Sequence, residues 1–260
     1  MPKAETITSA ANPLLKDVRR AIARGGLTAQ GLCVAETFHL LEEALRSHCE
    51  VGTVLAAESA VARVRVPARV QVAVVADRLF QSVAATESSQ GVIALVKPRT
   101  WDLWDLWDLV RGTALVVVLD GVQDPGNAGT IVRAAEAFGA TGVLFLKGTA
   151  SPFNPKTLRA AAGSLFRVPF AHGVEPAAAR EALEQNRVKL FAAVPAGRSA
   201  AEVDLTRPCG LIIGSEARGV GAVLRAAAQP VGIPTVGVES LNAAMAAGIL
   251  LYEARRQRGL

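Results

Sequence analysis

The sequence predicts a two-domain α/β protein. Three observations carry that expectation. Short apolar runs alternate with segments of helical period along most of the chain, a Pro- and Trp-containing stretch from Lys97 to Gly112 interrupts the alternation, and 260 residues suit one large or two medium domains. A hydrophobic content of 51% with 20% charged residues is that of a well-cored globular protein and excludes a disordered chain. The expected domains are residues 1–97 and 112–260, joined by a linker at 98–111.

In the first domain, Asn12-Pro13 starts a helix whose apolar face is Leu14, Leu15, Val18 and Ile22. Lys16, Arg19, Arg20 and Arg24 lie on its other side. Each reads as part of a solvated face; together they also suit a phosphate backbone. A strand from Leu32 to Ala35, a helix from Glu36 to about His48, strands Val51–Ala56 and Val70–Val75, a helical turn or two from Asp77 to Val83 and an apolar strand Gln90–Val96 complete a small α/β domain.

The linker repeats Trp-Asp-Leu three times between Trp101 and Leu109. A period of three fits neither a strand nor a lasting helical stripe, so the repeat reads as a local duplication rather than as a row of stacking platforms for RNA bases.

In the second domain, Leu115–Leu119 is a continuous apolar run, the mark of a strand covered on both faces. A helix from Ala128 to Phe138 follows, stopped by Gly139, then a strand Val143–Leu146, a helix containing Arg159, a strand Val168–Ala171, a helix Ala177–Gln185 and strands Lys189–Val194 and Leu211–Ile213. A helix reaching about Ala228 and an extended piece Ile233–Val236 precede the last segment, where Leu241, Met245, Ile249 and Tyr252 recur at helical spacing behind Ser240, read as the N-cap. That final helix, rich in Ala and Gly, is expected in the core and at an interface. Such alternation builds a parallel sheet, and ligands of parallel sheets sit in the loops at the carboxyl ends of the strands.

Three of those loops mix Gly with polar residues: Asp120–Gly129, Gly214–Gly221 and Ile233–Asn242. The first carries Asn127, read as an N-cap, and Arg133 a turn and a half later; the second Glu216 and Arg218; the third Glu239, Ser240 and Asn242. No dinucleotide fingerprint, Walker lysine, nucleophile elbow or metal triad is present in the sequence. Three Cys and three His are scattered without ligand spacing, so no metal is expected, and the thiols suit a reducing compartment. No signal segment opens the sequence and no apolar run approaches a membrane span, so a cytoplasmic protein is expected. The formal charge of +5 permits a nucleic-acid partner without demonstrating one.

The segments DPGNAGTIVRAAEAFGA, LIIGSEARGV and IPTVGVESLNAAMAAGILLYE, in this order, resemble the three motifs of the SpoU (TrmH-like) RNA ribose 2′-O-methyltransferases of the SPOUT class. NPKTLRAAAGSLFRVPF between them is similar as well, and ITSAANPLLKDVRR with SSQGVIALV resembles the ribosomal-protein-like substrate-binding domain that precedes the catalytic domain in that family. The resemblance implies an α/β catalytic domain with a C-terminal trefoil knot, S-adenosylmethionine as cofactor, and a homodimer packed through the C-terminal helix. It implies cofactor contacts at Gly214, Ile233 and Leu241 and active-site positions at Asn127, Arg133, Glu216, Ser240 and Asn242. The implied reaction is methylation of a ribose 2′-hydroxyl, foremost in 23S-type ribosomal RNA. A tRNA substrate, or a catalytically silent RNA-binding protein on the same fold, are the alternatives. One departure is plain: the family's usual Asn-Val-Ser is here Asn242-Ala243-Ala244, without the hydroxyl.

Overall fold

The computed structural model describes residues 4–110 and 112–259. The chain divides into two compact units, Met1–Arg99 with Phe153–Arg167, and Thr100–Pro152 with Val168–Leu260.

The first unit holds β1 (Ala4–Ile7), α1 (Pro13–Arg24), β2 (Cys33–Glu36), α2 (Phe38–Arg46), β3 (Val51–Ala57), β4 (Gln71–Val75), α3 (Asp77–Gln81) and β5 (Val92–Val96). The strands form one mixed sheet in the order β1-β4-β3-β5-β2, with β5 antiparallel to both its neighbours. Helix α1 begins where the sequence places it. The Asn12 side chain accepts from the N–H groups of Leu14 and Leu15, Pro13 occupies the first turn, and Gly25, at φ 61°, ends the helix in the left-handed conformation. Leu15, Val18 and Ala21 of α1 are buried, and the core they enter includes Val34, Leu55, Ala73 and Ile93 from the sheet. Of the four cations on its outer side, Arg19 is engaged: its guanidinium donates to the Ser82 carbonyl and hydroxyl and to the Ala10 carbonyl. Lys16, Arg20 and Arg24 are exposed.

The second unit contains α4 (Asp105–Asp108), β6 (Leu115–Asp120), α5 (Pro125–Ala137) and β7 (Gly142–Leu146). After the excursion that carries α6 (Pro155–Ala161) come β8 (Phe170–Val174), α7 (Pro176–Gln185), β9 (Lys189–Ser199), β10 (Cys209–Gly214), α8 (Ala222–Arg225), β11 (Gln229–Gly232) and α9 (Ala243–Gln257). Its six strands run in the order β11-β9-β10-β6-β7-β8, and every pairing is parallel. The expected parallel sheet with covering helices is therefore present, its central strands buried throughout as continuous apolar runs.

Four local expectations change. The strand placed at 233–236 lies at Gln229–Gly232 instead, and residues 233–242 form the loop after it. Strand β9 runs past Pro195 to Ser199, because the β11 register jumps from Pro230↔Ala192 to Val231↔Arg198 and leaves the proline without a ladder partner to satisfy. Residues 153–167, expected in the second domain, group with the first unit. There the Arg159 guanidinium meets the Glu36 carboxylate at 3.3 Å, and Glu36, 1% exposed, also accepts from the Ala85 N–H and the Thr86 hydroxyl. The stretch expected as a linker packs on the core of the second unit. Leu106 is buried, Trp101, Leu103, Trp107 and Val110 lie against it, and the Trp101 ring meets Phe170 edge-on at 5.7 Å. Arg111, its last residue, lies outside the described residues.

Helix α9 is fastened at its end. The Arg258 guanidinium donates to the carbonyls of Thr113, Ala114, Leu205 and Arg207, and the Gln257 side chain bonds the Leu205 N–H and the Ala200 carbonyl. A basic residue there also faces the negative end of the helix dipole.

Candidate active site

The three polar loops converge at the carboxyl ends of β6, β10 and β11. Register sets the first contact, since Asp120 and Gly214 end β6 and β10 side by side. Beyond Asp120 the helix α5 is capped by Asp124, whose Oδ1 accepts from the Asn127 N–H at 2.7 Å. Asn127 is thus not the N-cap that the sequence suggests. Pro125 has no N–H to offer and its fixed φ suits the first helical position, so the cap falls on the residue before it. The Asn127 side chain is thereby released for other bonds. Its Nδ2 donates to Glu216 Oε1 at 2.6 Å, and its Oδ1 accepts from Asn242 Nδ2 at 3.1 Å.

The same correction applies to α9. Its N-cap is Asn242, whose Oδ1 accepts from the N–H groups of Ala244 and Met245 at 2.9 and 3.2 Å, and not Ser240. Asn outranks Ala at a cap, and Ala243 starts the helix immediately behind it. One hydrogen-bonded chain therefore runs from the first turn of α9 through Asn242 and Asn127 to the Glu216 carboxylate. Every amide in it is oriented by its neighbours, with the Asn242 oxygen committed to backbone donors and its nitrogen to Asn127.

Beside this chain lies a cavity of about 650 Å³, within the range of small-molecule sites. Gly214, Glu216, Ile233, Ser240, Leu241 and Asn242, six of the eight residues singled out in the sequence, line it. Asn127 joins through its hydrogen bonds. Arg133 does not line the cavity; it stands exposed on α5 and makes no hydrogen bond or ion pair among the described residues. The walls combine apolar side chains such as Ile213, Val231 and Leu250 with backbone and the polar Ser215, Thr235, Ser240 and Asn242, and among the described residues the charged lining groups are the carboxylates of Glu216 and Glu239. A site so built favours a ligand with an apolar body and a positive charge.

The close approach of backbone to backbone explains the glycines. A Cβ on Gly214 would stand 2.2 Å from the Gly219 carbonyl carbon, and one on Gly197 would stand 2.4 Å from that of Val231. Sequence reading did not find Ala193, Val194 and Pro195, which line the cavity from the middle of β9, Pro195 being just beyond the expected end of that strand. Ala244, where the family hydroxyl is lacking, is buried and lies outside the lining.

Helix α9 lies partly in the core, as expected. Ala243, Ala244, Ala247, Leu250, Leu251 and Ala254 are buried, whereas Met245, Ile249 and Tyr252, which share the face marked by their spacing, are 59%, 37% and 55% exposed. The small side chains let α9 lie close on α5 and β10, with Leu250 and Leu251 on the buried side and Met245, Ile249 and Tyr252 outside. Tyr252 meets Phe138 of α5 edge-on at 5.8 Å, so the exposed apolar face spans both helices.

A parallel α/β unit with a cavity over its carboxyl edge and two acidic groups on its wall has the make-up of a small-molecule site. Residues 114–252 match the SpoU rRNA Methylase family, and residues 12–94 match the MRM3-like substrate binding domain. The chain belongs to the SpoU rRNA methylase family. It is 33% identical to the 23S rRNA (guanosine(2553)-2′-O)-methyltransferase RlmP of Bacillus subtilis, over 96% of this chain and 98% of the relative. It is 35% identical to an uncharacterized tRNA/rRNA methyltransferase of Synechocystis, over 97% and 94%. Among solved structures, the AdoMet-bound rRNA methyltransferase of Sinorhizobium meliloti superimposes with a TM-score of 0.82 at 30% identity, covering 97% of this chain and 98% of that one. The SpoU methyltransferase AviRb of Streptomyces viridochromogenes in complex with AdoMet gives 0.80 at 27% identity, covering 95% and 99%.

Proposed function

We propose that the site described above transfers the methyl group of S-adenosylmethionine to one ribose 2′-hydroxyl of 23S-type ribosomal RNA. The chain is an RNA 2′-O-methyltransferase by family, and the observation that carries the site assignment is the cavity itself. Among the described residues its charged wall groups are two carboxylates, which suits a sulfonium cation, and the backbone, apolar side chains and polar Ser215, Thr235, Ser240 and Asn242 of the remaining wall suit the adenosine. Gly214, Ile233 and Leu241 hold the cofactor, largely through main-chain groups. When bound, S-adenosylmethionine supplies an activated methyl, so the protein has to position it and to ready the accepting oxygen.

Arg133 is the group assigned to that oxygen. A guanidinium stays protonated, so it serves as a clamp on the substrate phosphate and as a stabiliser of the developing alkoxide, and a phosphate oxygen takes the proton. An exposed side chain without a hydrogen-bond or ion-pair partner among the described residues suits a residue that waits for RNA. Asn127, Asn242 and Glu216 keep the floor of the site rigid, and Ser240 contributes a hydroxyl at its rim. The first unit, with exposed Lys16, Arg20 and Arg24, binds the RNA.

Three further readings accompany this one. The C-terminal segment is threaded as a trefoil knot, supported by the tight passage of Gly197 against Val231 and of Gly214 against Gly219. The working form is a homodimer formed through the exposed face of Met245, Ile249 and Tyr252, since the alanines of α9 are already buried in its own unit. The setting is the cytoplasm; among the described residues no helix is long and apolar enough to cross a membrane. Mapping 2′-O-methylated nucleotides in total RNA from cells with and without the gene tests the function. Loss of one site in 23S rRNA is expected, and an unchanged ribosomal map with a lost tRNA site would move the substrate to tRNA.

A further inference from the structure

The loop that carries Glu216 is held by a residue outside the cavity. Between Gly214 and Gly221 the chain folds back on itself. Ser215 and Gly219 exchange backbone hydrogen bonds of 3.2 and 2.8 Å, and the buried Ser215 hydroxyl accepts from the Arg218 N–H at 3.1 Å. This makes a narrow tongue with one ankle on β10, where Gly214 is too close to Gly219 for any side chain. The other ankle is Gly221, and a single bond secures it to the sheet: Asp120 Oδ2 accepts from the Gly221 N–H at 2.7 Å. Asp120 lies at the last register position of β6, opposite Gly214, so both ankles of the tongue are tied to the same point of the sheet. Glu216 leaves the tongue toward Asn127, which stands one short loop beyond Asp120 on the same chain. The separation between the Glu216 carboxylate and the Asn127 amide is thus set from both sides by the position of Asp120.

We infer that Asp120 is a positioning residue for the methyl-transfer site. It latches the 214–221 tongue so that Glu216 meets Asn127, and it needs only a hydrogen-bond acceptor for this, not a negative charge. The inference rests on the proposed reading of the site. Asp120 does not line the cavity, which separates the role from contact with cofactor or substrate. Misplacing a positioned group by an ångström costs about 10²-fold in rate.

The test compares Asp120→Ala with Asp120→Asn, whose amide oxygen still accepts from Gly221. Amide hydrogen exchange over residues 215–221 and single-turnover methyl transfer to ribosomal RNA are measured on the full-length protein, with thermal unfolding as a check on folding. Asp120→Ala is expected to speed exchange in the tongue and to slow transfer by about 10²-fold, while Asp120→Asn stays within about threefold of wild type in both. Glu216→Ala added to Asp120→Ala should slow transfer no further than the slower single variant, because a displaced carboxylate has nothing left to lose. Unchanged exchange in Asp120→Ala overturns the latch, as does an Asp120→Asn variant as impaired as Asp120→Ala. Additive loss in the double variant also overturns it, since it places Asp120 outside the Glu216 pathway. Should wild-type protein transfer no methyl at all, the reading of the site fails, while the exchange data still decide whether the latch exists.

Discussion

In the proposed mechanism Arg133 and Asn242 have different tasks. Among the described residues the Arg133 side chain meets no hydrogen-bond or ion-pair partner, so its proposed role is exercised only with RNA bound. Arg133→Ala should therefore lower single-turnover methyl transfer by about 10²–10³-fold with cofactor affinity within about threefold of wild type. Near-normal turnover would remove it from the mechanism, and lost cofactor binding would make it a structural residue. Asn242 does two jobs with two atoms. Asn242→Asp keeps the oxygen that caps α9 and loses the donor to Asn127, so thermal stability should hold while transfer falls. Asn242→Ala loses both, and should destabilise by about 1 kcal/mol as well. Equal stability of the two variants in chemical denaturation would contradict the capping role. At this scale the sequence was informative about residue types and poor on their local roles. Asn127 and Ser240 both look like caps in the sequence, yet the caps are Asp124 and Asn242. Several cap-forming residues stand close together in each loop, and only the three-dimensional path decides which side chain is left free.

Elements show the same division between pattern and context. The buried strands β6, β7 and β10 were legible because continuous apolar runs have one stable place, between two layers of helices. Helix α9 was legible as a helix, but its spacing does not say which face turns inward. Leu250 and Leu251 are buried together with the alanines, and Met245, Ile249 and Tyr252 stay outside. Strand β1, of sequence AETI, gave no signal, since four residues at a sheet edge carry too little pattern. Helix α6 follows β7 in the chain yet belongs with the first unit, a long-range choice that local sequence does not encode. Its anchor is the pairing of Arg159 with Glu36, the one buried carboxylate among the described residues. Arg159→Ala leaves that carboxylate with two neutral donors and no cation, and should cost about 1–3 kcal/mol of stability in chemical denaturation. Glu36→Gln combined with Arg159→Ala should recover part of the loss, since the uncompensated charge is gone. No change in the single variant would show that Thr86 and Ala85 satisfy Glu36 alone.

For the molecule as a whole, the exposed face of Met245, Ile249 and Tyr252, with the half-buried Phe138 against Tyr252, is the feature that a lone chain leaves unexplained. Tyr252→Glu should shift the protein from dimer to monomer in sedimentation at micromolar concentration, and a wild-type protein already monomeric there would refute the dimer. The ordered motifs pointed to six residues that line one cavity, whereas the passage of β9 beyond Pro195 and the grouping of 153–167 with the first unit depended on contacts between distant segments. The central claim is the chemistry at one oxygen. Purified protein, S-adenosylmethionine carrying a labelled methyl and protein-free 23S-type ribosomal RNA should yield label in a single nucleotide. After complete digestion that label should be found on a ribose 2′-oxygen, with Arg133→Ala reducing its rate of appearance. Label on a base, or no label in RNA from a protein that binds the cofactor, would contradict the account.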